Sequence, residues 1–302
     1  MTNLSGSINA NDTVIRAYLP TTQRKRLIEK FMHHRLGMCG LTLLSFILLM
    51  TIAGPFVSGY RYDEIHLALK NESPSWTFWF GTDDLGRDVF TRVCYGARIS
   101  LFVGITAAII DLCIGILWGG TSGLAGGHVD EIMMRIADIL YSLPYLLVVI
   151  LLIVLLGSGL TSIIIGITII GWISMARMVR GQILLLKEMD YIQAARTLGA
   201  SFWRILFKHL LPNASGPILV SLMLTIPSAI FAEAFLSFLG LGIQAPIASW
   251  GTMASESLPA LQYYPWRLFF PAFFISMTML SFHMIGEGLK AAFNKSEQVN
   301  QL

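Results

Sequence analysis

Charge is scarce in this sequence. Asp, Glu, Lys and Arg make up 13% of its 302 residues, where a water-soluble domain carries about a quarter. Hydrophobic residues reach 55% and lie in long uncharged runs. That excludes an ordinary soluble fold and points to an all-α, polytopic membrane protein. A formal net charge of +3 is too small to suggest nucleic acid as a partner, and none is expected. Cysteine is rare as well. Cys39, Cys94 and Cys113 are an odd number without metal-ligand spacing, and two fall inside apolar runs, so they read as packing residues and no metal site is expected. Motifs that would give the chain chemistry of its own are missing: no phosphate-binding Gly-Lys-Ser/Thr loop, no His-Glu-x-x-His pair, no Gly-x-Ser-x-Gly elbow. No catalytic residue or cofactor is assigned to this chain.

What is present is a series of apolar segments, each to be weighed against the roughly 20 residues that cross about 30 Å of bilayer hydrocarbon. A mostly polar segment, 1–36, comes first and does not read as a short cleavable signal. Between Arg35 and Arg61 lie 25 uncharged residues, giving a first span at 37–58. Ile99 to Trp118, apolar apart from Asp111, gives a second at 99–118. The stretch Gly119-Gly-Thr-Ser-Gly-Leu-Ala-Gly-Gly127 after it reads as a flexible inner turn. Ile139 to Ala176 is uncharged for 38 residues, about 57 Å as a helix, too long for one span. Leu156-Gly-Ser-Gly-Leu160 is a turn signal that divides it into spans at 139–156 and 161–177. Ile218 to Leu239, interrupted by Pro227 and Glu233, gives a fifth at 218–239, and Leu268 to Gly286 a sixth at 268–287. The transmembrane region is thus 37–289, with a solvated tail at 290–302.

Six spans place both ends on one side. If that side is the cytoplasm, inner segments hold 15 Lys and Arg and outer segments 6. Positive residues resist translocation, so the bias predicts cytoplasmic termini.

The longest inner loop, 178–212, has the punctuation of a structured element. Asp190 is placed to cap a helix starting at Tyr191, Gly199 to end it in a left-handed conformation, and Ser201 to cap a second helix that stops at Pro212. Ala194 and Ala195 leave little side chain between the first helix and an approaching surface. The second helix carries Phe202, Trp203 and Phe207 with Arg204 and Lys208. Residue chemistry leaves two readings open, an amphipathic hairpin resting on lipid headgroups or a docking surface for a partner.

The order of residues adds to this. Gln193-Ala-Ala-x-x-x-Gly199, then nine residues, then His209-Leu-Leu-Pro212 resembles the EAA loop of ABC-type importer permeases. Gly81-Thr-Asp-Asp-Leu-Gly-Arg-Asp88 with Tyr95-Gly-Ala-Arg-Ile-Ser-Leu101 is similar to the segment preceding span two in the peptide and nickel branch of that family. Glu233-Ala-Phe-Leu-Ser-Phe-Leu-Gly-Leu-Gly242 with Ser249-Trp-Gly251 resembles the end of its span five and the outer loop. The likeness covers roughly residues 30 to 292 and is strongest to the C-type membrane subunit of oligopeptide permeases. It implies a type I ABC importer permease fold in a bacterial cytoplasmic membrane. It also implies that Gln193, Ala194, Ala195, Gly199 and Pro212 form the loop that docks into an ATPase groove. The partners implied are a homologous B-type permease subunit, two ABC ATPase subunits that use ATP and Mg, and an extracytoplasmic solute-binding protein delivering peptide. Two residues depart from the pattern: Gln193 stands where the family usually has Glu, and His209 where Ile is common.

Two carboxylates fall at membrane depth, Asp111 and Glu233. A charge at the bilayer centre costs from about 2.5 kcal/mol upward, so each must face the bundle interior, a partner or water. A satisfied packing group is one reading of both; for Glu233 the resemblance implies a place on the translocation path or its gate. Asp83, Asp84, Arg87 and Asp88 form a dense outer patch, read either as a solvated loop held by its own ion pairs or as a contact for the binding protein. The function expected is a channel subunit for ATP-driven import of oligopeptides. Alternatives are the same role for dipeptides, antimicrobial peptides or nickel, or a secondary transporter using Asp111 and Glu233 as ion sites.

Overall fold

The computed structural model describes residues 27–243 and 247–299, with side chains through 293. Among these residues there is no β-strand, and five helices are long and apolar enough to cross a membrane, or six if one bent pair counts as a span. Hydrocarbon offers no partner to backbone N–H and C=O groups, so a helix that satisfies them internally is the form such segments must take.

Helix α1 (Arg35–Ser58) begins where His34 Nδ1 accepts from Gly37 N at 3.1 Å and ends at Gly59. It lies along the last helix, α9 (Trp266–Val299), because glycine faces glycine: a Cβ on Gly37 would sit 3.0 Å from Gly288 Cα. Helix α2 (Val89–Ala125) is capped by Asp88, whose side chain accepts from Thr91 N at 2.8 Å. Its 37 residues make about 55 Å, well beyond the hydrocarbon thickness. The second span therefore continues a turn or more past both expected ends.

The Gly119–Gly127 stretch is not the flexible turn its composition suggested. Through Ala125 it is helical, and its small residues are a packing surface for α5 (Leu160–Leu186). A Cβ on Gly115 would stand 2.5 Å from Met175 Cγ, one on Gly119 would overlap the Ala176 carbonyl, and one on Gly123 would lie 3.1 Å from the Arg180 carbonyl. Residues at four-residue intervals share one helix face, and small side chains there let two backbones approach closely, the main source of helix affinity inside a membrane. The actual turn is Gly126–Gly127, where both φ angles are positive.

The third span also differs from expectation. Residues 127–156 form α3 (Gly127–Tyr141) and α4 (Tyr145–Leu156), bent by 80°. Pro144, the N-cap of α4, supplies no N–H and biases Leu143 away from helix, so the apolar run breaks there. Twelve residues of α4 reach about 18 Å, too short to span alone. Gly157 (φ +83°) turns the chain into α5 as the Gly-Ser-Gly signal predicted.

A short helix, α6 (Asp190–Thr197), precedes the long α7 (Phe202–Phe238). The predicted stop at Pro212 does not occur. Over Ile205–Leu210 the helix widens to π geometry, with Leu211 N donating to Leu206 O. The wider turn accommodates a residue that has no N–H to give and whose ring crowds the preceding turn, so α7 runs on into the fifth span. The opposite end of the bundle carries α8 (Trp250–Ser257), closed by a capping box in which Ser249 Oγ accepts from Thr252 N at 3.1 Å and Thr252 Oγ1 accepts from Ser249 N at 2.8 Å.

Gly119 and Gly181 give a matched pair of tests. Gly181 has nothing within 4 Å of an added Cβ. We expect Gly119→Ala to lower stability by about 1 to 3 kcal/mol through overpacking and Gly181→Ala to be neutral or slightly stabilising; thermal unfolding of the detergent-solubilised chain measures both.

Candidate coupling elbow and intramembrane sites

The elbow between α5 and α7 is a closed helix terminus. Ala200 N donates to Ala195 O at 3.0 Å and Gly199 N to Arg196 O at 2.9 Å, with Gly199 at φ +79°. This 6→1 and 5→2 pair is the Schellman arrangement, which a left-handed glycine makes available. The helix start differs from expectation. Met189 is the N-cap, Asp190 lies inside the first turn where its charge favours the helix dipole, and neither Met189 nor Ser201 makes a side-chain cap bond.

The elbow is tied firmly to the bundle. Ile192 is fully buried in a cluster with Val179 and Ile183 of α5 and Leu206 and Leu210 of α7. Gln193 Nε2 donates to Lys187 O at 3.1 Å, and Lys187 Nζ donates to Gly123 O, at the end of α2, at 3.2 Å. Asn213 Nδ2 reaches Tyr191 Oη at 3.3 Å. Nearby, Arg180 of α5 grips Asp130 of α3 through Nε at 2.6 Å, and Ser122 of α2 shares that carboxylate. The free face is the other one: Gln193, Ala194, Gly199 and Pro212 are exposed, Ala195 is half-buried, and Leu198 is 88% exposed. A small-residue patch with a protruding leucine, on a base that cannot yield easily, is a surface suited to receive a partner.

Asp111 of α2 is 3% exposed, and its Oδ1 has no hydrogen-bond partner among the described residues. Gly171 of α5 makes room for it, since a Cβ there would stand 2.6 Å from Oδ2. The carboxylate lines a cavity of about 640 Å³ whose other polar wall groups include Tyr145, Ser174, Ser221, Thr225 and Ser228. The Tyr145 hydroxyl is also buried, with no hydrogen-bond partner among the described residues. Neither Tyr145 nor Gly171 was legible as a site residue, because nothing local in the sequence marks a tyrosine or glycine as facing a distant aspartate.

Glu233 of α7 lies elsewhere. It is fully buried and does not line that cavity. Its Oε1 accepts from Ser237 Oγ at 2.8 Å and Ser249 Oγ at 2.7 Å, and its Oε2 from Ser100 Oγ at 3.2 Å. Ser100 Oγ also accepts from Trp250 N, and Trp250 Nε1 donates to Val93 O at 3.0 Å. Three hydroxyls on three elements thus converge on one carboxylate, joining α2, α7 and the cap of α8.

The outer charges are likewise turned inward. Asp83, Arg87 and Asp88 are buried, so of the two readings the solvated loop does not hold, although the ion pairs it assumed are present; Asp84 alone of the four keeps an exposed face. Asp83 accepts from Arg87 Nε at 2.6 Å and from Arg92, while Glu256 in the last turn of α8 receives Arg92 Nη2 at 3.0 Å. Arg267 at the start of α9 pairs with Asp84 at 3.1 Å and with Asn71 at 3.1 Å. Burial alone would raise the Asp83 carboxyl, but the Arg92 and Arg87 guanidinium groups outweigh it and hold the carboxyl below the ordinary carboxylate range. Among the described residues no three His, Cys, Asp or Glu side chains converge as a metal site.

Residues 112–298 match the family of binding-protein-dependent transport system inner membrane components, and residues 22–74 match the N-terminal transmembrane domain of oligopeptide transport permease C. The chain belongs to that inner-membrane transport family. Among its relatives, the oligopeptide transport system permease protein OppC of Bacillus subtilis is 58% identical over 270 residues, covering 89% of this chain and 88% of the relative. The dipeptide transport system permease protein DppC of the same organism is 55% identical over 285 residues, covering 94% and 88%. OppC of Escherichia coli is 41% identical over 272 residues, covering 89% and 90%. A solved chain of the MetNI methionine ABC transporter in an inward-facing conformation superimposes with a TM-score of 0.55 at 18% identity, over 65% of this chain and 94% of that one. This last likeness places the fold among ABC importer permeases.

Because the folded pKa of Asp83 is depressed, its ion pairs stabilise fully above the unfolded value and are lost as pH falls through the folded one. We expect Asp83→Asn to cost about 3 to 5 kcal/mol at pH 7, since it strands buried arginines, and to flatten the loss of stability between about pH 5 and pH 3. Unfolding temperatures of both proteins across that range check the sign.

Proposed function

We propose that this chain is one of two membrane-spanning subunits of a bacterial ATP-driven importer of oligopeptides, and that its 187–213 elbow receives force from a separate ATPase. The observation that carries this reading is the elbow's construction: a rigidly closed helix end, anchored by Ile192 and Lys187 to α2, α5 and α7, with Ala194 and Leu198 offered outward. The names of the relatives, oligopeptide and dipeptide permeases, support peptide as the solute class. Family membership supports a second permease subunit, two ATPase subunits hydrolysing ATP with Mg, and an external solute-binding protein as partners. The excess of Lys and Arg on the elbow's side supports a cytoplasmic location for it and for both termini.

ATP-driven closure of the ATPases would then push the elbow as a lever. A ligand or motor shifts a conformational equilibrium only through contacts that differ between the two states, and the elbow's exposed face supplies such a contact. Gln193, in place of the family's usual Glu, spends its side-chain amide on Lys187 O, so it braces the elbow from within and leaves docking to the small residues. Asp111 belongs to the translocation path, and Glu233 anchors the outer gate to the spans that move.

Gly199→Val tests the lever. A β-branched side chain in a left-handed conformation strains the terminus by about 1 to 2 kcal/mol, yet the space beside it is open, so insertion and assembly should persist. Peptide uptake and uptake-linked ATP hydrolysis by the assembled complex should fall more than about tenfold, as a loss of coupling of that size or larger requires. Unchanged uptake would remove the elbow from the mechanism.

A further inference from the structure

The cavity beside Asp111 has a one-sided chemistry. Its lining holds one carboxylate and a row of hydroxyls, and among the described residues no Lys, Arg or His. Two of the hydroxyls have already committed their protons: Thr225 Oγ1 donates to Ser221 O at 3.0 Å, and Ser228 Oγ donates to Leu224 O at 2.9 Å. What such hydroxyls present to the cavity is lone pairs. Asp111 contributes a carboxylate whose Oδ1 is buried with no hydrogen-bond partner among the described residues. A buried carboxylate without a partner is costly, and Gly171 leaves it the room to stand at the wall. The wall therefore offers one carboxylate and at least two oriented hydroxyl oxygens as acceptors, with no Lys, Arg or His among its lining residues. A neutral apolar group would leave the carboxylate unsatisfied, whereas a donor-bearing group would satisfy it.

We infer that this cavity is a transit site for a primary ammonium group on the transported solute, with the Asp111 carboxylate as its partner and the Thr225 and Ser228 hydroxyl oxygens as further acceptors in the wall. The inference rests on the reading of this chain as an import subunit for peptides, which carry such a group at the α-amino terminus and on lysine side chains. Three N–H donors of an ammonium match three acceptors, and a charge-assisted bond to a carboxylate is stronger than a neutral one. A single carboxylate, with no second acid beside it in the lining, holds the group without trapping it. The Tyr145 hydroxyl, also without a partner among the described residues, can accept from the solute or donate to the neighbouring peptide carbonyl.

The test uses the complete complex with its native partner subunits, purified and reconstituted in proteoliposomes with saturating binding protein. Uptake by Asp111→Asn is expressed relative to the parent for each probe, so that the binding protein's own preference cancels. The probes are a free tri-alanine peptide, its N-acetylated form, and an N-acetylated form with a central lysine. The isosteric change should lower relative uptake of the free peptide at least about tenfold and that of the N-acetylated peptide less than about twofold. A loss for the N-acetylated lysine peptide as well extends the site to side-chain ammonium groups; its absence confines the site to the α-amino terminus, and either result supports the proposal. Equal losses for all three probes, or no loss for any, would overturn it. Ser221→Cys, at a lining position given no role in holding the ammonium, separates this from the broader reading, in a chain whose exposed cysteines are changed by Cys39→Ala and Cys113→Ala. If a water-soluble maleimide on that cysteine blocks uptake while Asp111→Asn treats all probes alike, the path stands and the ammonium site falls. If labelling leaves uptake untouched, the cavity is off the path and both fall.

Discussion

The architecture depends on how closely α2 can lie against α5. Four contacts in register hold the pair together: Asp111 opposite Gly171, Gly115 against Met175, Gly119 against the Ala176 carbonyl, and Gly123 against Arg180 and Ile183. In hydrocarbon, where no hydrophobic effect draws helices together, this close backbone approach supplies the dispersion contacts that association needs. One end of the pair carries the elbow, through Lys187 on Gly123 and through Leu206, whose side chain meets Gly120. Further along it lies the cavity with the lone carboxylate. A push on the elbow is therefore delivered to the same two helices that shape the cavity wall.

The opposite end is held by other physics. Charges there are taken out of water in a cluster that joins the segment before α2 to α8 and α9 through Asp83, Arg92, Glu256 and Arg267. Below it Glu233 collects three serine hydroxyls from three elements. Breaking one member of such a network strands the others, which makes this end rigid while the cavity between the ends remains lined by weakly held hydroxyls. A stiff lever at one end, a stiff cap at the other and an adaptable polar cavity between them suit a molecule that must change access without coming apart.

Most of this fold was legible as hydropathy. The uncharged runs fall on α1, α2, α5, α7 and α9, though α2 starts 10 residues and α7 16 residues before the expected ends, and Gly157 and Gly199 mark their turns because positive φ is a local demand that glycine answers. Errors arose where the decisive partner lay far away in the chain. Gly119 to Gly123 looked like a loop because their composition is that of a loop; only Ala176 and Ile183, more than fifty residues on, make them a packing face. Pro212 looked like a stop because the π turn that absorbs it leaves no sequence signature. For Asp83 and Arg87 the sequence left a solvated loop and a partner contact both open, because the buried position and the ion pair from Arg87 to Glu256 depend on residues distant in the chain. Asp111 and Glu233, both flagged by depth, were separated by surroundings that no linear pattern contains.

The central claim is that the elbow and the α2–α5 pair move as one body. Spin labels at Leu198 on the elbow and at Leu117 on the outward face of α2, in the assembled complex with Cys39 and Cys113 replaced, measure it by double electron–electron resonance. The account predicts that this distance stays within about 2 Å between nucleotide-free and ATP-trapped states, the scale of a small helix shift, while the distance from Leu198 to His283 on α9 changes by more. An elbow-to-α2 distance that changes by much more than that while α2 keeps its place against α9 would contradict it.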